Sequence, residues 1–476
     1  MSEFDLIIRN GTVVTAADEI RCDVGIRDGR IVALAENLTG AREEIDAAGM
    51  YVLPGGVDSH CHLDQPISDG SRMADDFESG TRSAACGGTT TVIPFAAQMK
   101  GNTLRAAVED YHQRANGRAS IDYAFHLIVT DPTDYTLAEE LPALIEEGYT
   151  SFKIYMTYDD LKLNDRQIIE TLAAARRHGA MTMIHAENSD CIAWLTETLE
   201  KAGHTAPKFH ATSRPSVVER EATHRAISLA ELVDVPMLIV HVSGREAIEQ
   251  IRWAQGQGLR VYAETCPQYL YLTADDLDLH GFEGAKHICS PPPRDEANQD
   301  IVWEALENGV FQVFSSDHAP FRYDDAEGKK VHGEDAAFRY IPNGVPGLET
   351  RLPLLFSGGV MEGRIDITRF VALTATNPAR IYGLYPRKGT IAVGADADIA
   401  IWDPKRKVTI RNEQLHHNVD YTPYEGISVT GWPVITLSRG AVVWRDGEFL
   451  GQPGRGEFLP CERPAPARPK AMRRSD

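Results

Sequence analysis

What most limits the folds open to this chain is a rhythm. Between residues 55 and 384, short apolar runs rich in β-forming residues alternate with amphipathic stretches of helical period, eight times in series. The runs fall at 55–60, 89–95, 123–129, 152–156, 181–185, 237–242, 260–265 and 311–317. Segments 165–178, 217–233 and 245–257 carry the amphipathic pattern between them. Eight strand–helix units in series predict an α/β protein built on a (β/α)8 TIM barrel. A doubly wound sheet fits less well, because no GxGxxG follows the first strand.

Both chain ends read differently. Residues 1–54 are short strand runs separated by NG and DG turns, which are hairpin signals. Residues 385–451 repeat the style with RG and DG turns. The expected organisation is a small β-sandwich formed from 1–54 and 385–451 around a barrel at 55–384. Residues 452–476, rich in proline and arginine, read as an extended C-terminal tail.

Composition narrows the function classes. Against 69 Asp and Glu there are 48 Lys and Arg, a net charge of −21, which argues against a nucleic-acid partner. No apolar run approaches the ~18–20 residues of a membrane span, so no membrane partner is expected. The start, MSEFDLIIRNGTVV, lacks the basic and apolar segments of a secretory signal. Seven cysteines with no CxxC pair read as reduced thiols, and a cytoplasmic protein is expected.

The chemistry gathers at strand ends. His60 and His62 form an HxH pair closing the first barrel strand, and alternate strand residues share a face. His185 ends MTMIHAEN, His241 ends LIVHVSG and Asp317 ends VFSSDHAP. In a barrel these places converge on the C-terminal face, where active sites lie. Four histidines and a carboxylate there predict a metal centre, for which zinc and its neighbours are suited. Lys153 lies inside an apolar strand, where a buried ammonium is costly. Among metal ligands a cationic lysine would repel the ions. A lysine that had taken up carbon dioxide would instead offer two carbamate oxygens able to bridge two metals.

Together, GGVDSHCHLD, FKIYMTY, HAEN, HVSG, CSPPPR, SSDHAPF, IPNGVPGLE and NPARIYGLYPRKGTIAVGADADIAIWD resemble the cyclic amidohydrolases, most nearly the dihydropyrimidinase/D-hydantoinase branch. The resemblance runs in order from about residue 4 to 450. It implies a barrel with a sandwich of both chain ends, two Zn2+ ions (Mn2+ or Co2+ as substitutes), and N6-carboxylysine at Lys153. One ion would take His60, His62, Lys153 and Asp317. The other would take Lys153, His185 and His241, with a hydroxide between them. Tyr158 matches the tyrosine that donates to the tetrahedral oxyanion. Ser290 and Asn343 match positions whose main-chain groups pair with the CO–NH–CO edge of the ring. Ile67, Tyr155 and Lys162 match the pocket for the ring substituent, and a lysine there favours small or polar substituents. The family is commonly homotetrameric.

Two ions lower the pKa of a water between them and polarise a carbonyl, and Asp317 is placed to carry a proton to the leaving nitrogen. The expected function is therefore opening of dihydropyrimidine or hydantoin rings to N-carbamoyl amino acids. An allantoinase or cyclic imidase using the same site is the alternative, and a non-catalytic protein-binding paralogue is a more distant one. His318 and Cys61 neighbour ligands but are expected to face away from the site, and Cys289 reads as a small buried residue.

Overall fold

The computed structural model describes residues 3–469. Eight parallel strands form the barrel wall in chain order. They are Gly56–Cys61, Thr89–Ala97, the broken pair Asp122–Tyr123 and His126–Ile128, Ser151–Tyr155, Met181–His185, Met237–Ile239, Val261–Thr265 and Val313–Phe314. The strands are short and nearly all buried, as expected of a parallel sheet covered on both faces. The last strand meets the first through a single parallel bridge between Cys61 and His318, and the His62 amide donates to the His318 carbonyl at 2.7 Å.

The barrel seam is reinforced from within. Asp58 Oδ1 accepts from the amides of His60 (3.1 Å) and Ser316 (3.3 Å). Arg351 is fully buried, lies 3.4 Å from Asp58 Oδ2, and donates to the Phe314 carbonyl and Thr89 Oγ1. It thereby ties strands one, two and eight together. Removing one member of such a pair would strand a buried charge, at a cost of about 3–5 kcal/mol.

Helix Asp165–His178 begins at Asn164, which forms a capping box with Gln167, and ends at Gly179 with φ 70°. Its bounds coincide with the segment expected from periodicity. Its apolar face packs on the barrel through Ile168, Leu172 and Ala175.

The two chain ends interleave. One sheet runs Arg30–Ala35, Asp23–Arg27, Phe4–Arg9, Ala41–Asp46. The other runs Glu448–Phe449, Ala441–Arg445, Ser428–Ser438, Ile399–Thr409, Tyr51–Pro54, Thr12–Val14, Glu19–Arg21. N- and C-terminal strands are joined at Ile399–Thr409 against Tyr51–Pro54. Ile8, Val24, Ile26, Val52, Ile399 and Leu437 share one core between the sheets.

Of the expected tail, residues 452–469 are extended but not detached, and 470–476 lie outside the described residues. Main-chain bonds join Gly456 to Ala119, Leu459 to Tyr123, Cys461 to Gly148 and Glu462 to Gly383. Phe458 lies among Tyr123, Phe125 and Tyr149. Ala119 and Tyr123 lie at the start of strand three and Gly148 just before strand four, so the stretch packs against the barrel end opposite the site. Among the described residues, no helix is long and apolar enough to cross a membrane.

Candidate metal centre and active site

The expected ligand residues converge at the C-terminal ends of the strands. His60 lies in strand one, Lys153 in strand four and His185 at the end of strand five, while His62, His241 and Asp317 follow strands one, six and eight. All six are buried. Lys153 Nζ is 2.8 Å from His60 Nε2. Asp317 Oδ1 is 3.2 Å from His60 Nε2 and 3.5 Å from His62 Nε2. Ligand atoms of His60, His62 and Asp317 lie within 4.8 Å of one another. The His241 ring is 5.3 Å from that of His60 and 4.5 Å from that of His185.

Three site residues adopt left-handed backbone: His241 (φ 38°), Asp317 (φ 47°) and Tyr158 (φ 67°). Non-glycine residues there cost about 1–3 kcal/mol each, a strain that clusters at functional sites.

Partners outside the cluster orient its rings. His60 Nδ1 bonds Glu264 Oε1 at 2.6 Å, which leaves Nε2 for the cluster. His62 Nδ1 meets Gln65 Oε1 at 2.7 Å, and His185 Nε2 meets Glu187 Oε2 at 2.7 Å. Glu187 in turn pairs with Arg214 at 2.8 Å. Metal-ligating histidines characteristically bond a carboxylate or carbonyl through their second nitrogen. His241 Nδ1 is buried without a hydrogen-bond partner among the described residues. With three rings held at fixed tautomers, an orphaned fourth and a buried carboxylate, the donor set fits divalent metal ions.

Burial pushes the Lys153 ammonium down, with Asp317 and Glu264 opposing. Its Nζ rests over the rings of Phe95 (4.6 Å) and Tyr155 (4.9 Å). Burial, followed by the Lys153 charge, drives His60 toward its neutral, ligating form. Burial alone would raise Asp317, but His60, His62 and His241 hold it well below the usual carboxylate range.

A cavity of about 220 Å³ opens onto the cluster, and Tyr158, Ser290 and Asn343 also line it. Burial pushes the Tyr158 phenol up to about 12, with the neighbouring Arg214 opposing. Ser290 Oγ donates to Asn343 Oδ1 at 3.1 Å. The main-chain N–H and C=O groups of both residues have no hydrogen-bond partner among the described residues, so they are free to face a ligand. In the IPNGV turn, Gly344 has φ 147°, and a side chain there would collide with Ala319.

One expectation is corrected. Lys162 does not line this cavity: its Nζ is held by Asp159 (2.6 Å) and Ser189 (3.0 Å). The side chain presented instead is its neighbour Leu161, beside Ile67, Tyr155, Met73 and Phe321. The loop doubles back, with the Lys162 amide bonded to the Tyr158 carbonyl, so a register counted along the sequence falls one residue late. The Lys162 charge on which the expected bias toward small or polar substituents rested is therefore absent from the cavity, which Leu161, Ile67, Met73 and Phe321 line together with Gln65, Asp69 and Ser71.

His318 turns away as expected: Nε2 meets Asp75 and Nδ1 accepts from Gly347. Cys61 is buried, and Cys289 lines the cavity with its thiol pushed up by burial. Sequence reasoning missed Glu264, Glu187, Gln65 and Arg214. The i, i+2 spacing of His185 and Glu187 was a readable signal, whereas Glu264 meets His60 across 204 residues.

A parallel barrel with histidines and an aspartate clustered at its C-terminal face defines a barrel protein with a candidate metal site. The sequence profile of the amidohydrolase family matches residues 51–443. A D-hydantoinase of Geobacillus stearothermophilus is 48% identical over 95% of this chain and 96% of that protein. One from Ralstonia pickettii is 46% identical over 96% and 98%. The crystal structure of dihydropyrimidinase from Brevibacillus agri superposes with a TM-score of 0.93 at 45% identity, covering 96% of this chain and 99% of that one. The chain belongs to the amidohydrolase family, in its dihydropyrimidinase and D-hydantoinase branch.

Proposed function

We propose that this protein is a binuclear-metal cyclic amide hydrolase that opens dihydropyrimidine or hydantoin rings to N-carbamoyl amino acids. The observation carrying this reading is one cavity lined both by His62, Lys153, His185, His241 and Asp317 and by Tyr158, Ser290 and Asn343. The reactions named for the relatives above agree with it.

His60, His62, Lys153 and Asp317 would hold one zinc ion, and Lys153, His185 and His241 the second, with manganese or cobalt as substitutes. Bound there, the ions would supply a water that ionises at neutral pH and would polarise the ring carbonyl. Lys153 would serve as its carbamate, and burial favours the neutral amine that reacts with carbon dioxide.

The remaining work falls to the chain. The Ser290 and Asn343 main chain reads the CO–NH–CO edge and fixes the ring. Tyr158, still protonated at neutral pH, donates its phenolic proton as a hydrogen bond to the developing oxyanion. Asp317, ionised in its histidine surround, accepts the proton of the attacking water and returns it to the departing ring nitrogen. Leu161, Ile67, Met73 and Phe321 enclose an apolar ring substituent. The proposed assembly is a cytoplasmic homotetramer, which sedimentation and fractionation would test.

A panel of dihydrouracil, hydantoin, 5-substituted hydantoins, allantoin and succinimide tests the reading. Ring opening of the first three classes to N-carbamoyl products is expected. Turnover confined to allantoin or succinimide would overturn it.

A further inference from the structure

Lys329 is 1% exposed and lies beyond strand eight, in the loop that follows Asp317. Its Nζ donates to three carbonyls: Pro342 at 2.6 Å, Gly344 at 2.7 Å and Ile288 at 3.2 Å. Among the described residues it has no carboxylate within ion-pair distance, and its other neighbour is the Phe321 ring at 5.7 Å. Burying an ammonium without a counter-ion is expensive, and a methionine would fill the same space more cheaply. The placement of the three carbonyls gives the cost a purpose. Pro342 and Gly344 flank Asn343, and Ile288 lies two residues before Ser290. The same two loops also meet through the Gly344 amide and the Ile288 carbonyl at 2.9 Å.

We propose that Lys329 is a positioning residue that pins the Ser290 and Asn343 loops at the separation needed to read both ends of the ring's CO–NH–CO edge. The inference rests on the ring-hydrolase reading above. An ammonium offers three N–H donors, and three converging carbonyls use all of them. A paired hydrogen-bond reading of a ring tolerates about 0.5 Å of misplacement, so two loops from distant parts of the chain need a direct tie. The anchor is itself held: the Lys329 amide bonds the Arg322 carbonyl at 2.8 Å, and the Glu327 carbonyl accepts from Arg72. Burial pushes the Lys329 ammonium down to about 7. The three carbonyl dipoles oppose that shift, since only the protonated form fills all of them.

The test compares wild type with Lys329→Met and Lys329→Gln on hydantoin and dihydrouracil, with metal content measured in each. Glutamine keeps two of the three donors. KM is expected to rise about tenfold in Lys329→Met and by less in Lys329→Gln, with kcat within about threefold and metal content unchanged, because ground-state reading of the ring is what is lost. If Lys329→Met does not fold, the glutamine variant carries the comparison. An active wild type with unchanged KM in the variants would overturn the positioning role alone. A loss of kcat and metal at constant KM would also overturn it. A wild type that opens neither ring would overturn the ring-hydrolase reading and this inference with it.

Discussion

Lys153 Nζ stands 2.8 Å from His60 Nε2, with both side chains shut away from solvent. Two nitrogens of a metal-ligand set in contact, one on a lysine that burial presses toward neutrality, is an arrangement that carbamylation and metal binding would resolve. Lys153→Ala is expected to lose bound metal and activity together, and millimolar acetate or propionate should restore part of both by supplying the missing carboxylate oxygens. Full activity in Lys153→Arg would exclude the carbamate, because a guanidinium has no acceptor atom.

Glu264 holds the His60 ring by its Nδ1 and also accepts from the His241 amide at 3.1 Å. Glu264→Gln should therefore weaken metal affinity about 10- to 100-fold, the scale for a residue that orients a ligand. Competition with a chelator of known affinity reads this directly, and wild-type affinity would make Glu264 dispensable.

Tyr158→Phe should lower kcat roughly 100- to 1000-fold with metal content unchanged. Because burial pushes its phenol up to about 12, turnover should not fall through pH 9–10 on its account. A decline with an apparent pKa near 10, absent from the phenylalanine variant, would contradict the placement of this group.

Leu161 and Lys162 separate the two registers. Leu161→Ala should cut kcat/KM for a bulky apolar 5-substituted hydantoin about tenfold relative to unsubstituted hydantoin, the scale of a few methylenes in a pocket. Lys162→Ala should leave that ratio within about twofold, given its ties to Asp159 and Ser189. The reverse pattern would restore the lysine to the pocket.

At the junction of barrel and sandwich, half-buried His416 bonds Glu349 at 2.9 Å, and that bond raises its pKa. A raised folded-state value stabilises the fold fully below the unfolded value of about 6.5 and less as pH rises through the folded value. The Tm advantage of wild type over His416→Gln should accordingly shrink as pH rises above about 6.5. An advantage that grows with pH would mean the histidine is buried neutral.

The barrel was legible because its strands are short, apolar and serially spaced, and because the histidines and Asp317 fall at strand ends while Lys153 stands out as a charge inside an apolar strand. His60, His62, Lys153, His185, His241 and Asp317 could all be read that way. The strands Glu19–Arg21 and Ala41–Asp46 were not, because their outward residues are charged and only Ile45 in the second is buried. The Lys162 register failed because a loop that folds back on the Tyr158 carbonyl breaks the link between sequence spacing and direction. Glu264 and Lys329 act through partners on other strands and loops, and no local pattern announces such a contact.

The central claim is that the buried cluster around Lys153 and His60 opens cyclic amides only when loaded with metal. The measurement is ring opening of hydantoin and dihydrouracil by protein stripped with a chelator, assayed for metal by elemental analysis, then titrated with zinc in bicarbonate buffer. The account predicts no turnover in the stripped protein and recovery that saturates at two ions per chain with release of N-carbamoyl product. Full turnover by protein verified to be metal-free would contradict it.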